Sequence, residues 1–282
     1  MNDQLDLKSI EKTFTNKQGY KIFHQSWKVQ NPKANLFIIH GIAEHADRYL
    51  HVVNFFNQNG ISVFAPDLQG HGRSEGIRCN IKRYDDFLND IEQYHEVIKE
   101  ELSNAPTFVF GHSMGGGLVA TMAIQNRLQV KGVLLSAAML KVNEEISPLL
   151  QKLSPIISAI APQLKTVKLD TSHLSSIPEV VQKYNDDPMV YSDGLKARIA
   201  AEMLKLTKYI QSNMSQFDYP VLIMHGSLDK VTKTTGSQML FDQAHSSDKQ
   251  LKIYEGLEHE ILNEPENKKV MQDMLEFILN RI

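Results

Sequence analysis

The order of short apolar runs along the 282 residues predicts an α/β fold, in which helices flank a mostly parallel central sheet. Six apolar runs of strand length alternate with helical patterns. Several of these runs are continuously apolar, as is typical of strands buried on both faces. Between Ala138 and Val221, about eighty residues contain no convincing buried strand, which is several times the usual length of a connection. The sequence therefore also predicts a helical cap inserted into the sheet.

A hairpin, six buried strands and four helices make up the predicted core. The hairpin pairs residues 13–15 with residues 20–27, and Gly19 supplies the positive φ of its turn. The buried strands are predicted at residues 36–40, 62–65, 107–110, 132–135, 221–224 and 251–254. The helices are predicted at residues 49–59, 84–102, 114–127 and 266–282.

The long strandless interval forms the predicted cap. The boundaries are residues 139–215 for the cap, and residues 1–138 and 216–282 for the core. Residues 148–161 are apolar and contain two prolines, which predicts short broken helices. Residues 197–210 have the apolar spacing of a further helix. We expect the cap to lie over the carboxyl edge of the sheet.

Composition and charge argue against several classes of function. The 30 Lys and Arg against 33 Asp and Glu give a net charge of −3, without the basic excess that nucleic-acid binding demands. The single cysteine, Cys79, excludes an internal disulfide and a thiolate zinc cluster. No metal-ligand spacing is recognisable, so we expect neither metal nor cofactor. The polar residues 1–17 contain no signal peptide and no apolar run approaches the ~18 residues of a membrane span, which predicts a cytoplasmic protein.

The pentapeptide G-x-S-x-G occurs twice, around Ser113 and around Ser74. A nucleophile elbow requires a strand directly before the serine and a helix directly after it. Ser113 has both, and Gly111 and Gly115 leave space for the strained turn between them. Ser74 is separated from its strand by residues 66–72 and is followed by polar residues, so it is predicted to lie in a loop at the rim of the site. Ser113 is therefore the candidate nucleophile.

The acid and the base of a serine hydrolase are expected after the serine, in that order. Asp229 follows the predicted strand at residues 221–224, and His259 follows the next one. Asp67 is the rival acid, but it precedes Ser113 and is predicted to cap its own glycine-rich loop. Asp229 and His259 are therefore the predicted partners of Ser113.

Most other histidines have a simpler interpretation. Five are predicted to be solvated surface residues: His24, His51, His95, His173 and His245. His40, His45 and His71 are candidates for the pocket wall, and His112 for a contact against the elbow. His225, just before the acid loop, is a candidate for a buried hydrogen-bonding partner.

A developing oxyanion needs two N–H donors. One is predicted from Met114, directly after the nucleophile, and the other from Ile42 in the loop after the strand at residues 36–40. His40 and Gly41 precede Ile42, and Gly41 permits the backbone turn that aims the N–H of Ile42 inward. The loss of one such donor typically costs 10²–10³ in turnover.

Five ordered segments resemble the monoacylglycerol lipase and lysophospholipase family of α/β-hydrolases. Residues 40–49 resemble the family's H-G-x-x-E-H-x-x-R-Y segment, and residues 67–76 its D-x-x-G-H-G-x-S-E-G loop, which explains the second G-x-S-x-G. Residues 111–116, 226–229 and 256–260 are similar to its nucleophile, acid and histidine segments. The resemblance implies the α/β-hydrolase fold and hydrolysis of one fatty-acyl ester from a glycerol or a lysophospholipid. It also implies a mobile apolar cap that docks on membranes or micelles.

The predicted function is therefore a cofactor-independent serine hydrolase with monoacylglycerol as the leading substrate. Lysophospholipase, carboxylesterase and thioesterase remain open, as does a small-ligand-binding protein on the same fold. Residues 146–160 supply apolar side chains for an acyl tunnel or a membrane-facing lip, or equally for the cap's own core. Ile42 is bulkier than the small residue often found there in the family, and residues 141–215 contain no recognisable motif. The oligomeric state is left open.

Overall fold

The described residues form one eight-stranded sheet in the computed structural model, which describes residues 8–141, 147–166 and 168–282. The strands are β1 (Ile10–Thr15), β2 (Lys21–Trp27), β3 (Ala34–Ile39), β4 (Ile61–Pro66), β5 (Thr107–His112), β6 (Gly132–Ser136), β7 (Val221–Gly226) and β8 (Lys249–Tyr254). Their order across the sheet is β1-β2-β4-β3-β5-β6-β7-β8. The β1–β2 and β2–β4 pairs are antiparallel and the remaining pairs are parallel. The prediction of a mostly parallel sheet is confirmed.

The described residues also form eight α-helices. They are α1 (Leu50–Gln58), α2 (Tyr84–Ile98), α3 (Met114–Ile124), α4 (Pro148–Ile160), α5 (Pro178–Asp186), α6 (Ala197–Asn213), α7 (Thr234–Gln243) and α8 (Asn267–Leu279). Helices α5 and α7 were not predicted. Helix α7 begins with two threonines, a glycine and a serine, which are all weak helix formers. Packing of the buried Leu240 stabilises the helix.

Burial of the sheet on both faces explains the continuously apolar strands. In β3, Phe37 and Ile39 belong to one cluster of buried side chains, whereas Leu36 and Ile38 belong to the other. Because successive side chains of a strand point to opposite faces, both sets must be apolar when helices cover both sides. Because the strands from β5 to β8 pair in parallel, the carboxyl ends of β5, β7 and β8 reach the same edge of the sheet.

The apolar run before residue 161 differs from its prediction, because α4 is one continuous helix with Pro155 inside it. A proline cannot donate a hydrogen bond to the carbonyl four residues earlier. Here the hydroxyl of Ser154 donates to that carbonyl, the one of Gln151, at 3.2 Å. The local replacement of the missing bond lets the helix continue. Ile146, where the predicted tunnel or lip begins, lies outside the described residues.

Helices α4, α5 and α6 lie between β6 and β7 in the chain. Helix α6 packs on α3, and its Ile199, Met203 and Leu206 join the same buried cluster as Leu118 of α3. The insertion is therefore tied to the core through an apolar helix face. In the part of the chain that the structure describes, no helix is both long enough and apolar enough to cross a membrane.

Candidate active site

Ser113 lies at the sharp turn between β5 and α3, with φ 52° and ψ −117°. A side chain is strained in this backbone conformation, which a functional role commonly explains. A Cβ at Gly111 would lie 2.6 Å from the carbonyl oxygen of Gly115, and one at Gly115 would collide with the carbonyls of Ile39 and His40. The two glycines therefore provide the space that the spacing of the pentapeptide predicted.

Ser74 lies in a different environment. Its hydroxyl donates a hydrogen bond to the carbonyl of Asp67 at 2.6 Å and accepts one from the N–H of Phe23 at 2.8 Å. Asp67 in turn accepts hydrogen bonds from the N–H groups of Ala46 and Arg73, at 2.8 Å each. Both side chains therefore hold a loop together, which is the capping role predicted for Asp67.

Asp229 and His259 meet at the carboxyl edge of the sheet. Nδ1 of His259 lies 2.8 Å from Oδ2 of Asp229, and both side chains are buried. The other oxygen of Asp229 accepts hydrogen bonds from the N–H groups of Val231 and Thr232, at 2.8 and 2.9 Å. The loop after β7 therefore fixes the carboxylate, and the carboxylate fixes the orientation of the imidazole.

Burial and neighbouring charges act in opposite directions on the pKa values of this pair. Burial by itself would lower the pKa of His259, but the neighbouring Asp229 carboxylate outweighs it, so the pKa of His259 is raised. Burial would likewise raise the pKa of Asp229, yet His259 and His225 hold that pKa well below its ordinary value. Asp229 is therefore ionised at neutral pH, and His259 is a stronger base than an isolated histidine.

The loop after β3 places Ile42 beside the serine. In the described part of the chain, no residue accepts a hydrogen bond from the backbone N–H of Ile42 or of Met114. Both groups are therefore free to bind an oxyanion, in the way that unpaired N–H groups at a helix N-terminus do. His40 supports this loop, because its Nδ1 lies 2.7 Å from the carbonyl of Gly41 and its Nε2 accepts from the N–H of Leu68 at 2.9 Å.

The structure explains the glycine at position 41 by the space around it. The residue with positive φ in this loop is Ala43, at 67°, and not Gly41. Glycine is needed at position 41 for space, because a Cβ there would lie 2.8 Å from Oε1 of Glu44 and 3.3 Å from Cβ of Ser113. The close approach of Glu44 and Ser113 therefore requires glycine at this position.

Ser113 and His259 line one cavity of about 280 Å³. No hydrogen bond joins their side chains within the described residues, as is common in active sites without substrate. The cavity wall includes apolar side chains from Ile42, Leu169, Leu174 and Val231 and polar ones from Glu44, Lys168, Tyr184, Lys230 and Glu260. A polar and an apolar part of one substrate can both be accommodated by such a wall.

A buried charge cluster that contributes Glu44 and Glu260 to the cavity wall was not predicted. Arg48 donates to both oxygens of Glu260, at 2.6 and 2.7 Å, and to Glu44 at 2.7 Å. Glu44 also accepts the N–H of Gly41 at 2.6 Å, and although burial opposes its charge, Arg48 lowers its pKa to about 2. The cluster connects the Ile42 loop to the residue after His259, over 212 positions of sequence between Arg48 and Glu260.

The structure corrects part of the histidine assignment. His24 was predicted to be solvated, but it is 1% exposed, and His173 lines the cavity. His112 lines the cavity, with its ring centre 4.8 Å from that of His259, and burial lowers its pKa to about 4. Across residues 8–141, 147–166 and 168–282, no group of three or more potential ligands is arranged to hold a metal ion.

Comparison with known proteins places the chain in a family. The family model described as Hydrolase_4, serine aminopeptidase, S33, matches residues 30–266. The chain is 33% identical to a monoacylglycerol lipase of Mycolicibacterium smegmatis, over 96% of this chain and 98% of that protein. It is 31% identical to the monoglyceride lipase of Mus musculus, over 95% of this chain and 89% of that protein.

A solved structure agrees with the fold. A soluble variant of monoglyceride lipase from Saccharomyces cerevisiae, in complex with a substrate analogue, superposes with a TM-score of 0.85. The identity is 24%, and the match covers 99% of this chain and 98% of that one. The chain therefore belongs to the monoacylglycerol lipase family of α/β-hydrolases, and the prediction that it is a serine hydrolase is confirmed.

Proposed function

We propose that Ser113, His259 and Asp229 form a catalytic triad that hydrolyses a carboxylic ester through an acyl-enzyme. The main support is that Ser113 and His259 line one cavity while Asp229 holds the far side of the imidazole at 2.8 Å. With Nδ1–H donated to Asp229, Nε2 of His259 carries the lone pair that accepts the serine proton. The free N–H groups of Ile42 and Met114 support their assignment as the oxyanion hole.

The reaction then proceeds in two steps. Oγ of Ser113 attacks the ester carbonyl carbon as its proton passes to His259, and the oxyanion is held by the N–H groups of Ile42 and Met114. The bond between the carbonyl carbon and the alcohol oxygen breaks, and His259 returns the proton to the leaving alcohol. Water that is deprotonated by His259 next attacks the acyl-enzyme, which releases the acid and restores Ser113.

The proposed substrate is a monoacylglycerol, a small polar alcohol joined to one fatty acid. The mixed cavity wall supports it, since Leu169, Leu174 and Val231 suit an acyl chain and Glu44 and Glu260 suit hydroxyl groups. We expect purified protein to release glycerol from monoacylglycerols, with higher kcat/KM for long acyl chains than for acetyl and butyryl esters. Chromatographic measurement of both products across a chain-length series tests this. A preference for the short esters would contradict the lipase assignment.

A lysophospholipid is the second candidate substrate. Lys168 and Lys230 line the cavity, and neither forms a salt bridge with another described residue. Their ammonium groups suit a phosphate group on the substrate alcohol, in competition with the carboxylate of Asp170, which lines the same cavity and interacts with the charge of Lys230. The same assay with lysophosphatidyl esters of matched chain length separates the two candidates.

We further propose that residues 139–215 act as a cap over the core of residues 1–138 and 216–282. Helix α4 of this segment exposes large apolar side chains, with Leu149 at 67%, Ile156 at 56% and Ile160 at 80% exposure. Such a face suits transient contact with a lipid or micelle surface, in a cytoplasmic protein peripheral to a membrane. Hydrolysis per substrate molecule should therefore rise when the substrate passes its critical micelle concentration. An unchanged rate across that concentration would argue against the contact.

Hydrolysis is expected to fall on the acid side of neutrality. A protonated imidazole cannot accept the proton of Ser113, and Asp229 raises the pKa of His259 above its ordinary value of 6.5. When kcat/KM for a soluble ester is measured against pH, the midpoint of its fall on the acid side should therefore lie above pH 6.5. A limb near pH 4 would instead assign the base to His112, whose pKa burial lowers to about 4. A profile without an acid limb would contradict a histidine base altogether.

A further inference from the structure

Asp229 contacts a second imidazole that does not line the cavity. His225 is the penultimate residue of the buried strand β7, and its Nε2 lies 2.9 Å from Oδ2 of Asp229. This is the same carboxylate oxygen that contacts Nδ1 of His259 at 2.8 Å. His225 is completely buried, so it cannot touch a substrate in the cavity. One carboxylate oxygen is therefore shared by two histidines.

The other ring nitrogen of His225, Nδ1, also has a partner. Its Nδ1 lies 2.8 Å from Oγ of Ser237, on helix α7. Because an ionised Asp229 only accepts hydrogen bonds, Nε2 of His225 must carry the proton that faces it. In the tautomer that carries its only ring proton on Nε2, Nδ1 is an acceptor and the hydroxyl of Ser237 donates to it. A directed chain thus runs from Ser237 through His225 to Asp229.

The other donors to Asp229 do not replace this contact. Val231 and Thr232 donate their N–H groups to Oδ1, the oxygen that does not face His259. The hydroxyl of Thr232 lies 2.9 Å from Oδ2, but also 2.9 Å from the carbonyl of Ala137, and it has a single proton to donate. Nε2 of His225 lies 2.9 Å from Oδ2 and 3.3 Å from the carbonyl of Thr232, so it is a second imidazole N–H within reach of the oxygen that orients His259.

We propose that His225 is a positioning residue that holds Oδ2 of Asp229 in its contact with His259 and shares the negative charge of that oxygen. The inference rests on the proposed triad. A hydrogen bond from His225 stabilises the ionised carboxylate and reduces the share of its charge that acts on His259. His225 thus moderates the basicity that Asp229 gives to His259, and it restricts rotation of the carboxylate.

Other charged groups near His259 also act on its pKa. The protonated form of His259 is favoured by Glu260, the next residue in the chain, and by Glu44 from the loop after β3. His112, at the end of β5, lies beside the ring of His259. None of them contacts Oδ2 of Asp229 in the described residues. Replacing His225 therefore alters the Asp229 contact and leaves these neighbours in place.

Two substitutions separate a positioning role from a purely structural one. His225→Leu keeps the buried volume and removes the donor, whereas His225→Gln keeps an N–H that can reach Asp229. For His225→Leu we expect kcat on a soluble p-nitrophenyl ester to fall on the order of tenfold, a small part of the 10²–10⁴ supplied by a positioned base. We also expect the acid limb of the pH profile to move to higher pH, because unshared charge on Asp229 makes His259 more basic. His225→Gln should restore both the rate and the position of the limb.

Ser237→Ala is the milder variant in case leucine at position 225 prevents folding. It removes only the hydroxyl that fixes the tautomer of His225, and it should move the acid limb in the same direction by a smaller amount. An acid limb at the wild-type pH in folded His225→Leu or Ser237→Ala protein would overturn the inference, even if the melting temperature falls. Absence of ester hydrolysis by the wild type would instead refute the proposed function, so the two failures are distinguishable.

Discussion

Replacement of Ser113 with alanine is expected to lower ester hydrolysis by about 10⁴- to 10⁶-fold, the range for loss of a serine nucleophile. The free energy of unfolding should change little, since the hydroxyl of Ser113 has no hydrogen-bond partner in the described residues and the backbone turn persists. The measurements are kcat/KM for a soluble ester and the midpoint and slope of urea unfolding. A loss of activity that merely follows a loss of folded protein would not support the assignment.

Ser74→Ala is the matched control, because it alters the other G-x-S-x-G serine. Here the opposite pattern is expected. The buried N–H of Phe23 loses its acceptor, which should lower the free energy of unfolding by about 1–3 kcal/mol, while hydrolysis by the folded fraction persists. If Ser74→Ala abolished hydrolysis and Ser113→Ala retained it, the nucleophile would be misassigned.

The second large effect is expected for Asp229→Asn, with a fall in kcat of about 10⁴-fold. The N–H groups of Val231 and Thr232 hold the amide oxygen in the Oδ1 position. The N–H₂ group then faces His225 and His259, and it favours the tautomer of His259 that lacks a lone pair toward Ser113. The residual activity should also have its acid limb at lower pH than the wild type, since Asp229 is the main group that raises the pKa of His259. Steady-state kinetics across pH measure both effects.

Asp67→Asn is the control for a carboxylate that ends a different strand. Asp67 accepts two backbone N–H groups and contacts neither Ser113 nor His259, so its substitution should reduce stability and leave the pH profile in place. A fall of about 10⁴-fold in folded Asp67→Asn protein, together with an active Asp229→Asn protein, would reverse the assignment of the acid.

Local sequence signals were sufficient to predict the strand–turn–helix segment around Ser113 and most strands of the sheet. The strand before Ser113, the glycines at positions 111 and 115 and the helix after it all lie within a short segment, so their joint meaning can be read without knowledge of the fold. The proximity of Asp229 and His259 could be predicted because the carboxyl ends of parallel strands meet at one edge. These residues follow from local pattern plus the chain order of the fold.

Features that depend on distant contacts could not be predicted in the same way. The pairing of Arg48 with Glu260 joins residues far apart in sequence, and no spacing rule identifies it. The continuity of α4 depends on one hydroxyl of Ser154, and helix α7 forms despite weak intrinsic propensity. For His225 a partial signal existed, since it lies at a strand end four residues before the acid, but its second contact, Ser237, required the structure.

Intact-mass analysis after reaction with a fluorophosphonate tests the central claim, an assembled triad with Ser113 as its nucleophile, most directly. The wild type and Ser74→Ala should each gain the mass of one phosphonyl group, and Ser113→Ala should gain none. Equal labelling of all three proteins would contradict Ser113 as the nucleophile. A wild type that gains no mass would contradict an assembled triad and would favour a ligand-binding protein on the same fold.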